Sequence, residues 1–262
     1  EYPRHSFFEG ASIRKVGDTY YFVWSSILNH ELCYATSKYP DQGFRYGGTI
    51  VSNGDVGFHG RNAKDRLNHT GTTHGGIEQV NGQWYVFYHR LTHNSDYCRQ
   101  ACAEPIEIAP DGSIAQVEIS SCGLNGGPLK AAGSYPAAIC CNLTNGHMRH
   151  GSNGNRKSHE PCMTSSEGER YLTNITDQTL IGYKAFSFGS TVKVRVKHRG
   201  SAGSLAVMTE PGKLLAAIPL AKAVAWTESP AVHFSAHGEK PLYFQYYGKG
   251  KLELLEFTME EA

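Results

Sequence analysis

At 262 residues the chain is long enough for one large or two ordinary domains, each able to bury a core. Charge is balanced, 25 Lys and Arg against 24 Asp and Glu, which argues against electrostatic capture of nucleic acid or an anionic membrane. No apolar run approaches ~20 residues, so no transmembrane helix is expected, and 29 glycines with 15 tyrosines point to short strands and tight turns.

The chain opens on Glu1-Tyr2-Pro3, without initiator Met or signal peptide, which reads as a chain cut from something longer. An internal repeat follows. Residues 13–26 read Ile-Arg-Lys-Val-Gly-Asp-Thr-Tyr-Tyr-Phe-Val-Trp-Ser-Ser, and residues 77–90, at an offset of 64, read Ile-Glu-Gln-Val-Asn-Gly-Gln-Trp-Tyr-Val-Phe-Tyr-His-Arg. Each copy predicts a β-hairpin, and Asn81-Gly82 suits a type I′ turn because both central residues need positive φ. The second strands, Tyr20–Trp24 and Trp84–Tyr88, are apolar on both faces and belong inside a sheet stack.

Segments Glu31–Ser37 and Gly48–Ser52 follow the first hairpin, and Ala103–Ala109 and Ile114–Ile119 the second. Four strands per unit at this spacing indicate β-propeller blades. Two blades are too few to close a ring of ~4–8, so the expectation is a larger propeller completed upstream or by a second chain. Cys122-Gly-Leu-Asn-Gly-Gly-Pro128 reads as a linker. Residues 145–160 read as an exposed, mobile polar loop. From about residue 130 alternating segments suggest an antiparallel β-sandwich, namely 171–174, 180–186, 191–197, 204–208, 213–218, 232–234, 242–247 and 251–258. The predicted domains are 1–122 and 123–262.

Seven cysteines include adjacent Cys140 and Cys141, and Cys98 and Cys102 with no partner pair at zinc-site spacing; neither a zinc site nor a clean disulfide framework is expected. Asn68, Asn142 and Asn174 head glycosylation sequons. The repeat also nominates a site. It sets Glu9 and Gly10 against Thr73 and His74, at the start of what would be the channel-lining strand of each blade. A carboxylate and an imidazole thus converge on one rim, although spacing alone leaves them equally readable as ordinary loop residues. His89 ends a buried strand and reads as a hydrogen-bonded structural residue.

Phe7-Phe8-Glu9-Gly10-Ala11-Ser12-Ile13-Arg14-Lys15 followed by Thr19-Tyr20-Tyr21 resembles the general-acid motif of glycoside hydrolase family 43, with Ala11 in place of its usual proline. Thr72-Thr73-His74-Gly75-Gly76-Ile77 and Gln83 to His89 resemble that family's last-blade motif, and the likeness runs through about residues 1–120. It implies the fourth and fifth blades of a five-bladed propeller and an inverting glycosidase releasing arabinofuranose or xylose from plant polysaccharide. It further implies Glu9 as general acid, with Phe8, His74 and Arg99 as candidate carbohydrate contacts. Such chemistry needs no cofactor, though the resemblance allows a metal ion such as calcium at His74. The acid works with an Asp base ~6.5–9.5 Å away and a raised pKa, for which apolar Phe7 and Phe8 offer desolvation. Asp18 and Asp55 are poor candidates for that base, which the resemblance puts upstream together with a helper aspartate. The 262-residue chain alone is therefore expected to be inactive.

Tyr171 to Phe188 and Gly250 to Phe257 resemble strands of a family 6 carbohydrate-binding module, which is a jelly-roll-like sandwich. That likeness implies Trp226 as the sugar-stacking candidate, equally readable as a core tryptophan, and calcium at Glu167 or Glu169 with Glu253; Leu254-Leu255 departs from the polar and aromatic pattern of the family's binding members. A secreted protein is implied. Alternatives left open are a non-catalytic carbohydrate-binding protein and an enzyme for galactose-based chains.

Overall fold

The structure, a computed structural model, describes residues 3–151 and 159–261. Among the described residues the regular elements are twenty strands and six three-residue 3-10 turns, with no α-helix. The described residues form two compact units: 3–91, 95–119 and 148–151 in one, and 92–94, 120–147 and 159–261 in the other. The long first-unit stretch ends at Ile119 and the second unit resumes at Ser120, while 92–94 and 148–151 are short exchanges between the two. Among the described residues no helix is long and apolar enough to cross a membrane.

In the first unit β1 (Phe7–Val16), β2 (Thr19–Ser26), β3 (Glu31–Ser37) and β4 (Arg45–Ser52) form an antiparallel meander in chain order. The second blade has β5 (Gly76–Val80), β6 (Gln83–Thr92) and β7 (Ser95–Ile106) in the same order. Its tight turn has Asn81 at φ 51° and Gly82 at φ 84°, as the Asn-Gly signal requires. Tyr21, Val23, Trp24, Tyr85, Val86 and Tyr88 are buried, which follows from the double-sided apolar pattern of β2 and β6.

The expected fourth strand of the second blade does not join β7. A turn reverses the chain at 109–113, where Ala109 N–H donates to Ser113 O and Gly112 N–H to Ala109 O. Residues 114–119 then run along the first blade: Val117 N–H donates to Ile50 O on β4 (2.8 Å), Ile114 N–H to the Tyr34 hydroxyl, and Ile119 N–H to Asp55 Oδ1. Ile114 and Ile119 are buried there, so the apolar signal was real but its partner is the other sheet.

The expected mobile loop is also tied down at one end. Thr70 pairs with His150 in a bridge, and Arg66 donates to Met148 O. Residues 152–158 of that loop, and Glu1 and Tyr2 at the start, lie outside the described residues.

In the second unit the strands are β8 (Leu129–Lys130), β9 (Gly133–Pro136), β10 (Asn142–Thr144), β11 (Cys162–Ser166), β12 (Glu169–Ile175), β13 (Leu180–Phe188), β14 (Thr191–Gly200), β15 (Gly203–Met208), β16 (Leu214–Leu220), β17 (Ala223–Glu228), β18 (Val232–Ser235), β19 (Gly238–Tyr247) and β20 (Leu252–Glu261). One sheet runs β10-β13-β19-β15-β16 with β8 beside β13; the other runs β11-β12-β20-β14-β17, with β18 beside β14 and β9 beside β20. From β13 onward the chain crosses repeatedly between the sheets, with β15 and β16 together in one and β17 and β18 together in the other, the habit of a jelly-roll-like sandwich.

Period-two alternation decides what goes inside: Val192, Val194 and Val196 of β14 enter the core while Lys193, Arg195 and Lys197 face out. The outward row meets carboxylates, as in Arg195 with Glu260 at 2.7 Å. Leu254 is a core residue, and Leu255 falls at a register shift between β14 and β20. Two of the three sequon asparagines, Asn68 and Asn142, are buried.

Candidate active site

Glu9 and His74 meet. Irregular pairing of β1 with β2 between Phe7 and Ser12 kinks the strand where Glu9 sits. Gly10 follows at φ 69°, and its missing Cβ leaves room for the His74 ring, whose Cδ2 would lie 3.0 Å from such an atom. Glu9 Oε1 thus comes to 2.8 Å from His74 Nε2, with the two side chains 40% and 33% exposed. The contact has ion-pair distance but not the alignment of a hydrogen bond, since Nε2 finds no hydrogen-bond partner among the described residues. On the flank, Arg14 joins the blades through Ile77 O (3.2 Å) and Glu78 (2.7 Å).

Behind this pair stands His89, its ring 5.3 Å from that of His74 in an edge-on arrangement. Neither ring nitrogen of His89 has a hydrogen-bond partner among the described residues, contrary to the expected hydrogen-bonded structural role. Burial, then the charges of Arg99 and His74, push its pKa down to about 4, with Glu9 acting in the opposite direction. The ring is therefore neutral at pH 7. Its backbone oxygen accepts from Thr73 Oγ1 (2.9 Å) and Asn53 Nδ2 (3.2 Å), which fixes the end of β6 against the start of β5. Arg99 is exposed and donates to Thr72 Oγ1 and Asp96 O, both at 3.3 Å.

The apolar neighbours do not enclose Glu9 as expected. Phe7 is 52% and Phe8 49% exposed, and the Phe7 ring stacks on Phe22. Neither aspartate weighed as a base reaches the site. Asp18 lies in the β1–β2 turn, at the opposite end of β1 from Glu9, and Asp55 is fully buried with Oδ1 accepting from Ile119 N–H. Asn53 joined the site without any sequence signal, whereas Thr72 heads the motif that contains His74.

In the second unit, Trp226 on β17 is not a core residue. Its ring has the Arg199 guanidinium 4.2 Å over it and Tyr171 at 5.3 Å edge-on, and Nε1 donates to Glu169. Glu253 accepts from Arg199 Nε and from Thr173 Oγ1 (2.7 Å). Glu169 and Glu253, two of the carboxylates proposed for calcium, are thus engaged with protein donors, and the oxygen cage such an ion needs does not fit there.

No family model matches the chain. Over 97% of its length it is 42% identical to a curated "Xylosidase/arabinosidase" of Thermoclostridium stercorarium, of which it covers 56%. The chain is a homologue of xylosidase/arabinosidase proteins. This homologue is also 31% identical, over 44% of its length, to 32% of a "Beta-xylosidase" of Xylanibacter ruminicola. It therefore spans little more than half of the first relative and about a third of the second. Among solved structures it is similar to a glycoside hydrolase family 43 arabinoxylan arabinofuranohydrolase from Bacillus subtilis, with a TM-score of 0.51 and 18% identity over 98% of this chain and 54% of that one. At that identity the likeness concerns the fold, and it agrees with the family 43 resemblance of residues 7–21 and 72–89. The family 6 carbohydrate-binding module CsCBM6-3 of Clostridium stercorarium aligns with 52% of the chain and 99% of its own length, at TM-score 0.41 and 15% identity.

Proposed function

We propose that this xylosidase/arabinosidase homologue carries the general acid, Glu9, of an inverting glycoside hydrolase that releases arabinofuranose or xylose from plant polysaccharide or oligosaccharide outside the cell. The observation that carries the reading is the Glu9–His74 pair, formed where two repeated blades start their first strands. Glu9 gives its proton to the glycosidic oxygen of the leaving group. A water attacks from the opposite face, activated by an aspartate from a part of the enzyme beyond this chain. His74 positions the Glu9 carboxyl and an ordered water beneath the sugar. Arg99 approaches a sugar hydroxyl, and His89, neutral at pH 7, adds no positive charge behind the acid.

The test is Glu9→Gln in the full enzyme that contains this chain. The expected result is a roughly 10²–10⁴-fold loss of kcat on unactivated xylosides or arabinofuranosides. Aryl glycosides whose phenol leaves without protonation should lose far less, and the first-formed sugar should show inverted anomeric configuration by NMR. Equal losses on both substrate types would remove Glu9 as the acid, and a retained anomer would rule out inversion.

A further inference from the structure

The first unit holds another convergence of ionisable groups, one that the proposed reaction does not use. His5 lies two residues before β1, while Glu31 and Cys33 stand two apart on β3 and so face the same side of the sheet. His5 Nδ1 is 2.6 Å from Glu31 Oε1; Cys33 Sγ is 3.4 Å from the same oxygen and 3.9 Å from His5 Nδ1. We propose that these three side chains bind a divalent ion of the zinc type, with His5 Nδ1, Glu31 Oε1 and Cys33 Sγ as ligands and water in the fourth position.

Geometry is the first argument. A triangle with those three edges has its centre roughly 2 Å from every corner, which is the length of zinc–nitrogen and zinc–oxygen bonds and slightly short of a zinc–sulfur bond. An ion just off the plane of the three atoms meets all of them with little movement. Donor chemistry is the second: nitrogen, sulfur and one oxygen select zinc-like ions, whereas calcium and magnesium want oxygen cages.

The surroundings supply the orienting groups that metal ligands need. Ser26 Oγ donates to Glu31 Oε1 (2.7 Å) and Thr49 Oγ1 to Glu31 Oε2 (3.0 Å). The His5 ring is stacked on Tyr46 at 5.5 Å, and its backbone oxygen accepts from Trp24 Nε1 at 2.9 Å. Glu31 and Cys33 are buried while His5 is 32% exposed, so an ion has a path in along one side.

Without an ion the cluster is a buried carboxylate ringed by donors. Burial opposes the charge on Glu31, but the Ser26 hydroxyl and the His5 ring outweigh it and hold its pKa below the ordinary range. On binding, Cys33 loses its S–H proton to solvent and a metal–sulfur bond replaces that bond, while His5 offers Nδ1 with its proton on Nε2. The ion would fasten the segment before β1, which carries Glu9, to β3 of the same blade.

Cobalt(II) reports such a site by its colour. Titrated into the metal-stripped chain, it should give tetrahedral visible bands and a near-ultraviolet sulfur-to-cobalt band, both displaced by zinc. Cys33→Ser should abolish the sulfur band, and His5→Ala, a change at a partly exposed position, should remove most of the affinity with unchanged circular dichroism. Thr49→Val should weaken binding roughly 10–100-fold. No sulfur band with cobalt in large excess, or a band that survives in folded Cys33→Ser or at full affinity in His5→Ala, would overturn the proposal.

Discussion

A carboxyl group that is to hand over a proton must be held still while remaining open to its substrate, and Glu9 meets both demands through its neighbours. The strand irregularity turns it outward, and His74 catches it at 2.8 Å. Gly10 is what allows this: a Cβ there would press on the His74 ring at 3.0–3.3 Å, and the residue already sits at φ 69°. Gly10→Ala should therefore cost about 1–2 kcal/mol from the left-handed backbone alone, read by urea denaturation of the chain. The same variant in the full enzyme should lower kcat more than it raises KM, since it displaces the acid rather than the sugar contacts. At this scale the sequence exposed Glu9 and His74 because the repeat put them at matching stations. It hid His89, since an imidazole at the end of an apolar strand gives no sign of whether its nitrogens find partners. It also hid the His5–Glu31–Cys33 cluster: zinc-site spacing along the chain is a local signal, and these residues meet only when β3 lies beside the chain entering β1.

Local hairpins are where the sequence spoke most directly. The Asn81-Gly82 turn closes β5 on β6 with Val80 paired to Gln83, and both turn residues have the positive φ that the dipeptide predicts. Replacing Gly82 by Val should destabilise the first unit by about 1–2 kcal/mol, visible as a lower thermal midpoint by calorimetry. The equivalent change at Asp18, which is not among the residues with positive φ, should cost much less. The fourth strand of the second blade shows the limit of such reading. Ile114 and Ile119 are both buried, yet the turn at 109–113 sends their segment to Tyr34, β4 and Asp55 rather than to β7. Periodicity reports that a segment will be half buried; it carries no information on which edge will receive it.

Across the whole molecule, each unit has its own interior. The sandwich core gathers Tyr183, Phe186, Phe244 and Phe257, with Phe257 and Tyr183 ring centres 4.7 Å apart. Phe257→Ala should cost roughly 3–5 kcal/mol, measured as a shifted urea midpoint of the second unit's unfolding transition. A smaller loss would mean that the sheets close over the gap. Glycine-rich turns, the repeat at offset 64 and the period-two strands determined an all-β chain of blades and sandwich, and the repeat named Glu9 and His74. Those features are local or periodic, so they survive in a one-dimensional string. Only the tertiary structure decided that residues 114–119 leave their own blade, that Phe7 and Phe8 leave the acid uncovered, and that Trp226 lies under Arg199 rather than in the core. Each of these depends on which surfaces meet across long stretches of chain, and burial, pairing and charge contact come into being only with that meeting.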